Sequence, residues 1–292
     1  MNISALTQKR ERALTETGDI LRLVPPPAEL SAYLFGFAHR RDARGGDVVL
    51  ILPEGRTSVQ LCRADPYFIR EVEEGAPWRE VPEFSLWGPR LKRGYGYAAR
   101  QIEVFGFGLT PAGFRALTGM GPGALLNEAA PFDEFAPTVA AELRTLTAPD
   151  FDSWRDGAAK ILTAAFKGAS APPMISGALT ALGEDGDIAA ASRRLGLSER
   201  HFRRLFAAEF GAGPKIYARI LRFDRTLRRL HPRPWETPDA PDSDDYADQA
   251  HLIREFCAFA EITPGAYVRN KQSHGDRILR SFVIDGVDPP GR

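Results

Sequence analysis

The sequence is poor in the residues that build cross-links and metal centres. Only Cys62 and Cys257 occur in 292 residues. Two distant thiols make neither a disulfide scaffold nor a four-ligand zinc site, and they suit a reducing cytoplasm. The five histidines, His39, His201, His231, His251 and His274, are scattered. None forms a His-x-His pair and no paired carboxylates stand at metal-ligand spacing, so no metal, no cofactor and no metal-dependent enzyme are expected. No apolar run approaches the roughly 20 residues of a membrane helix. Charge follows soon after Met1–Leu6, so neither a signal peptide nor a membrane partner is expected. Net charge is missing too: 38 Lys+Arg balance 38 Asp+Glu. That excludes a uniformly basic coat, but not a basic segment offset by an acidic one. Gly119-Met120-Gly121-Pro122-Gly123 precedes no Gly-Lys-Ser/Thr and reads as a loop rather than a phosphate cradle.

What is present is core-forming material, 43% hydrophobic, over a length that fits two domains. The first half reads as short strands at Tyr33–Ala38, Val48–Leu52, Thr57–Cys62, Tyr67–Val72, Phe84–Trp87 and Ile102–Leu109, separated by Gly, Pro and Asp. This spacing suggests a small barrel or sandwich, of which we expect a mainly antiparallel, barrel-like (cupin-like) domain, making the chain α+β. Trp78, Trp87, Tyr95 and Tyr97 read as aromatic core rather than pocket lining, and Arg90, Lys92 and Arg93 as a solvated turn. Helices are predicted at Ala112–Leu117, Pro137–Leu146 and Asp152–Phe166, the last with Asp152 as N-cap. The stretch Gly168–Pro173 reads as a linker. The expected units are 1–168 (sensor or dimerisation domain with helical connector), 174–271 (all-α, homeodomain-like double helix-turn-helix) and 272–292 (tail).

Within 187–211, Asp187 caps a short helix ended by Gly196, and Ser198 caps a second helix closed by Gly211. In the second helix Phe202, Leu205, Phe206 and Phe210 share one face, and Arg200, Arg203 and Arg204 lie on another. A short helix, a glycine turn and a basic second helix can fill a major groove. A hairpin with a solvated arginine face has the same pattern, but the local charge favours DNA. From Asp187 to Leu230, eleven basic residues face four acidic ones, a balance of +7.

Leu197–Phe206, then Gly211-Ala212-Gly213-Pro214-Lys215-Ile216-Tyr217 and Arg222, resemble the first half of an AraC/XylS-type DNA-binding domain. Tyr246–Phe256 and Ile262-Thr263-Pro264-Gly265-Ala266-Tyr267 resemble its second half. The resemblance covers roughly 175–271. It implies two helix-turn-helix units joined by a long helix over Pro214–Leu230, contacting double-stranded DNA. It carries DNA contact to Ser198, Arg200, His201, Arg203 and Arg204, and to Gln249, His251 and Arg254. It also implies an N-terminal domain that takes a small organic effector or forms a homodimer.

The second unit departs from the pattern. Matching back from Tyr246 puts Asp245 where a glycine is expected and Pro241 where a small residue is. Pro232, Pro234, Pro238 and Pro241 crowd the stretch, and each interior proline costs a helix about 3 kcal/mol. We therefore expect an irregular loop over Pro232–Asp245, with the helix resuming near Tyr246–Asp248. Charge inverts as well: from Pro232 to Ile262, eight acids face two arginines, a balance of −6. The expected function is a transcriptional regulator reading DNA mainly through its first unit. The alternative is a regulator-derived interaction protein whose acidic second unit binds a protein partner or limits DNA binding. A barrel enzyme with a DNA-binding appendix is disfavoured, because no catalytic constellation is visible.

Overall fold

The computed structural model describes residues 20–42, 45–63, 65–147, 150–169, 173–182, 186–230, 249–274, 281–283 and 286–291. The N-terminal half supplies β1 (Ile20–Val24), β2 (Leu34–Asp42), β3 (Val48–Ile51), β4 (Thr57–Cys62), β5 (Tyr67–Glu71), β6 (Arg79–Glu80), β7 (Phe84–Trp87), β8 (Gly94–Ala98), β9 (Ile102–Leu109) and β10 (Ala129–Pro131). They form two sheets, β1-β2-β9-β4-β7-β10 and β3-β8-β5-β6, and the second is extended on the β3 side by β11 (Ser281–Val283) from the far end of the chain. Every pairing is antiparallel. The α+β expectation therefore holds, with the barrel-like part present as two sheets rather than one closed ring.

Period-2 alternation explains the layers. Phe37, Phe107, Val59 and Leu86 are cross-strand neighbours on the first sheet and all are at most 1% exposed. They pack with Phe114 of α1 (Pro111–Thr118), Leu143 of α2 (Pro137–Arg144) and Trp154 and Leu162 of α3 (Phe151–Ala165). The opposite face of that sheet carries Ala38, Gly106, Gln60 and Ser85 in register. Thr110 caps α1, its hydroxyl accepting from the Gly113 amide at 3.1 Å, and Gly119 ends it in the left-handed region. The N-cap of α3 is Asp150, which accepts from Ser153 N at 2.8 Å. It is not Asp152, whose carboxylate lies within the first turn and pairs with Arg22 and Arg155.

Strand β8 holds Tyr95 and Tyr97, expected as aromatic core, and follows Arg90, Lys92 and Arg93, expected as a solvated turn. Its glycines are there to make room. A Cβ on Gly94 would sit 2.0 Å from the Arg90 guanidinium, and one on Gly96 2.0 Å from the Tyr67 hydroxyl. Arg90 is correspondingly buried and pairs with Glu71 at 3.2 Å.

Beyond the linker the described chain is helical: α4 (Pro173–Leu182), α5 (Ile188–Arg194), α6 (Glu199–Phe210), α7 (Pro214–Leu230), α8 (Gln249–Ala260) and α9 (Pro264–His274). The expected loop over Pro232–Asp245, and the resumption at Tyr246–Asp248, lie outside the described residues.

Candidate nucleic-acid interface

The first unit is α5, a tight turn and α6. The Asp187 carboxylate accepts from the Ala189 and Ala190 amides at 2.8 and 3.0 Å, satisfying two orphan donors of α5. Gly196 turns the chain at φ +66°, and the Leu197 amide donates back to the Ser192 carbonyl at 2.9 Å. Ser192 is buried, and its small side chain allows close approach at the turn. Ser198 then caps α6, its hydroxyl accepting from His201 N at 3.3 Å.

Phe202, Phe206 and Phe210 of α6 are at most 1% exposed and pack with Ala178, Leu182, Ala191 and Tyr217. Burial pushes the Tyr217 phenol above its ordinary pKa, and its hydroxyl donates to the Phe210 carbonyl at 3.2 Å. Helical periodicity turns Arg200, His201, Arg203 and Arg204 to the opposite, exposed face. Arg203 pairs with Glu199 across one turn at 3.1 Å, an exposed contact of small energy. Arg200 and Arg204 make no ion pair among the described residues.

The second unit presents Gln249, Ile253 and Arg254 of α8 on its exposed face, with His251 half-buried. Glu255, behind them, accepts both Arg219 contacts, at 2.8 and 3.0 Å. The Arg219 guanidinium holds its carboxyl below the usual range, and the pair staples α8 to α7. Rings of Phe223, Phe256, Phe259 and Tyr267 pack edge-on or tilted against one another behind this staple. The two clusters of expected contact residues thus sit on two exposed helical faces. Ile253, 37% exposed, is an addition that the sequence pattern did not mark.

Both units rest on the N-terminal half, which the sequence analysis did not anticipate. Arg115 of α1 pairs through two nitrogens with Glu209 of α6. Glu209 is only 6% exposed, so its carboxylate needs that partner. The glycine loop is a docking surface: a Cβ on Gly123 would lie 2.2 Å from the Gly211 amide nitrogen. Arg93 reaches Glu261 and the Ala258 carbonyl at the end of α8. No residue type or spacing announces such partners; the two ion pairs join residues 94 and 168 positions apart.

Residues 191–270 match the family model described as Helix-turn-helix domain. No curated protein matches the sequence. Among solved structures, the chain is similar to a 1.65 Å structure of ToxT from Vibrio cholerae, with 9% identity, TM-score 0.45, and coverage of 80% of this chain and 97% of that one. It is also similar to unsaturated fatty acid bound wild-type ToxT from Vibrio cholerae strain SCE256, with 7% identity, TM-score 0.48, and coverage of 80% and 94%. The AraC-like transcriptional activator CuxR gives 15% identity, TM-score 0.25, and coverage of 73% and 89%.

Proposed function

We propose that residues 191–270, which match a helix-turn-helix family model, are an AraC-type DNA-binding domain and that the protein is a sequence-specific, DNA-binding transcriptional regulator. It reads double-stranded DNA mainly through its first unit and has no catalytic role. The observation that carries this is the division of α6, whose phenylalanine face is sealed while Arg200, His201, Arg203 and Arg204 stand exposed. Guanidinium groups on such a face hydrogen-bond guanine edges bidentately or clamp phosphates. Ser198 sits at the helix start, where its hydroxyl and the first free amides suit a phosphate. Gln249, His251 and Arg254 form a second, weaker contact beside a segment of net negative charge.

The working division is 1–168 as sensor or dimerisation domain, 174–271 as DNA-binding domain and 272–292 as tail. A small organic effector would find polar groups between the two sheets, where the buried Arg90 leaves its Nε without a partner and Tyr67 lies close to Arg90 and Arg40. The site of action would be the cytoplasm; among the described residues no helix is long and apolar enough to cross a membrane. Selection of bound DNA from a random pool tests the reading. A reproducible enriched motif supports it, and no enrichment at moderate salt overturns it.

The −6 balance of 232–262 favours a second reading, in which the acidic unit binds a protein partner or limits DNA binding. Two of those eight acids, Glu255 and Glu261, are already engaged by Arg219 and Arg93, which leaves less acidic surface for a partner.

A further inference from the structure

The two helix-turn-helix units are supported differently. The buried residues of the first unit's cluster all come from helices, Ala178, Leu182, Ala191, Phe202, Phe206, Phe210, Tyr217 and Ala218, with the half-buried Leu91 of the N-terminal half only packed against them. The second unit's cluster combines Phe223 and Leu227 of α7, Phe256 and Ala260 of α8 and Tyr267 of α9 with four residues of the N-terminal half, Val48, Leu50, Leu52 and Tyr95. Leu50, Tyr95 and Arg70 are in register across β3, β8 and β5. They share the sheet face opposite the one where Gly94 and Gly96 admit Arg90 and Tyr67.

We infer that this outer sheet face is the scaffold of the second recognition helix, so that DNA contact through Gln249 and Arg254 depends on docking of the N-terminal domain. The inference rests on the DNA-binding reading above. In the first unit the scaffold is α5. The corresponding stretch of the second unit is the proline-rich one, outside the described residues.

Two further contacts bear on the same point. The first unit ends α6 with Gly211 at φ +72°, whereas α8 ends with Glu261 at φ +60°. A non-glycine residue in the left-handed region is costly. Arg93, from the loop between β7 and β8, compensates by pairing with Glu261 and donating to the Ala258 carbonyl at 3.2 Å. It is a C-terminal cap supplied by the other domain. The chain beyond α9 returns to the sheet: β11 pairs with Val49–Ile51 of β3, and Trp78 Nε1 donates to the Asp288 carbonyl at 3.1 Å. The sheet therefore holds α8 from its capped end and from behind, leaving the face with Gln249 and Arg254 outward.

The test is a charge-reversal cycle in the full-length protein: Arg93→Glu, Glu261→Arg and the double swap. Hydrogen exchange of the α8 amides and affinity for the selected DNA are both measured. Each single variant should lose about tenfold of α8 protection and weaken DNA binding severalfold, and the double swap should restore both. The two single changes alter net charge in opposite directions, so a plain electrostatic effect on DNA would move affinity in opposite directions. Arg254→Ala should weaken the wild-type protein by a larger factor than it weakens the Arg93→Glu background. Unchanged α8 exchange, no rescue by the swap, or tighter DNA binding in Arg93→Glu overturns the inference. If no variant, nor the wild type, binds DNA, the functional reading fails, and the exchange measurements still decide whether the sheet supports α8.

Discussion

Arg204 is available to DNA because its neighbours on α6 are not. The same helix that buries Phe202, Phe206 and Phe210 must turn its arginines outward, and among the described residues Arg203 alone of the three is drawn into an ion pair, with Glu199. Replacing Arg204 by alanine should cost about 1–3 kcal/mol of specific binding and relax one base position. A binding titration with repeated motif selection checks this; unchanged affinity and motif would sink the assignment. Glu209 shows the opposite case. It is one of four acids in a basic segment, yet it is buried and held by Arg115, whose side chain is 34% exposed. Arg115→Ala would strand a buried carboxylate. The cost should fall between that of an exposed pair and that of a fully buried one, about 1–3 kcal/mol. Urea midpoints of the two proteins measure it.

Among elements, the helix ends separate backbone freedom from packing. Gly196 and Gly211 both sit at positive φ, but a Cβ at Gly196 would meet open space, whereas one at Gly211 would meet Gly123 backbone atoms at 3.0 Å. Gly196→Ala should therefore cost about 1 kcal/mol, the conformational penalty alone, and Gly211→Ala more, because it also displaces the docking loop. Equal losses in thermal unfolding would contradict this. The Arg219–Glu255 staple gives a pH signature. The folded Glu255 pKa lies below its ordinary value of about 4.3. The staple's stability is thus complete above that value and is lost as pH falls through the lower, folded pKa. Wild-type protein should lose more stability than Glu255→Gln between pH 6 and pH 3, and parallel curves would remove the staple from the account. Gly94-Tyr95-Gly96-Tyr97 has weak strand propensity at its glycines, and β8 is held by pairing with β3 and β5, with Arg90 and Tyr67 in the space a Cβ would fill.

At the scale of the whole molecule, basic and acidic segments cancel, so under the proposed function attraction to DNA falls mainly to the first unit. One well-supported basic helix and one contact beside a negative segment should bind weakly as a monomer. Tight binding is then expected from a homodimer pairing two half-sites at spacings set by the helical turn of DNA. Footprinting across protein concentrations checks this. A monomer that protects two adjacent groove segments with high affinity would contradict it.

The sequence by itself determined the first helix-turn-helix unit, its caps at Asp187, Ser198 and Gly211, its exposed arginine face, the recognition-like helix of the second unit and most strands of the N-terminal half. Each of these rests on local periodicity or on a backbone requirement met within a few residues. Only the tertiary structure decided what Glu209, Arg93, the glycine loop and the final strand do. Their partners are Arg115, Glu261, Gly211 and β3, brought close by the packing of one domain on the other. Ion pairs and strand additions between distant segments depend on position in space, and neither propensity nor spacing along the chain encodes it.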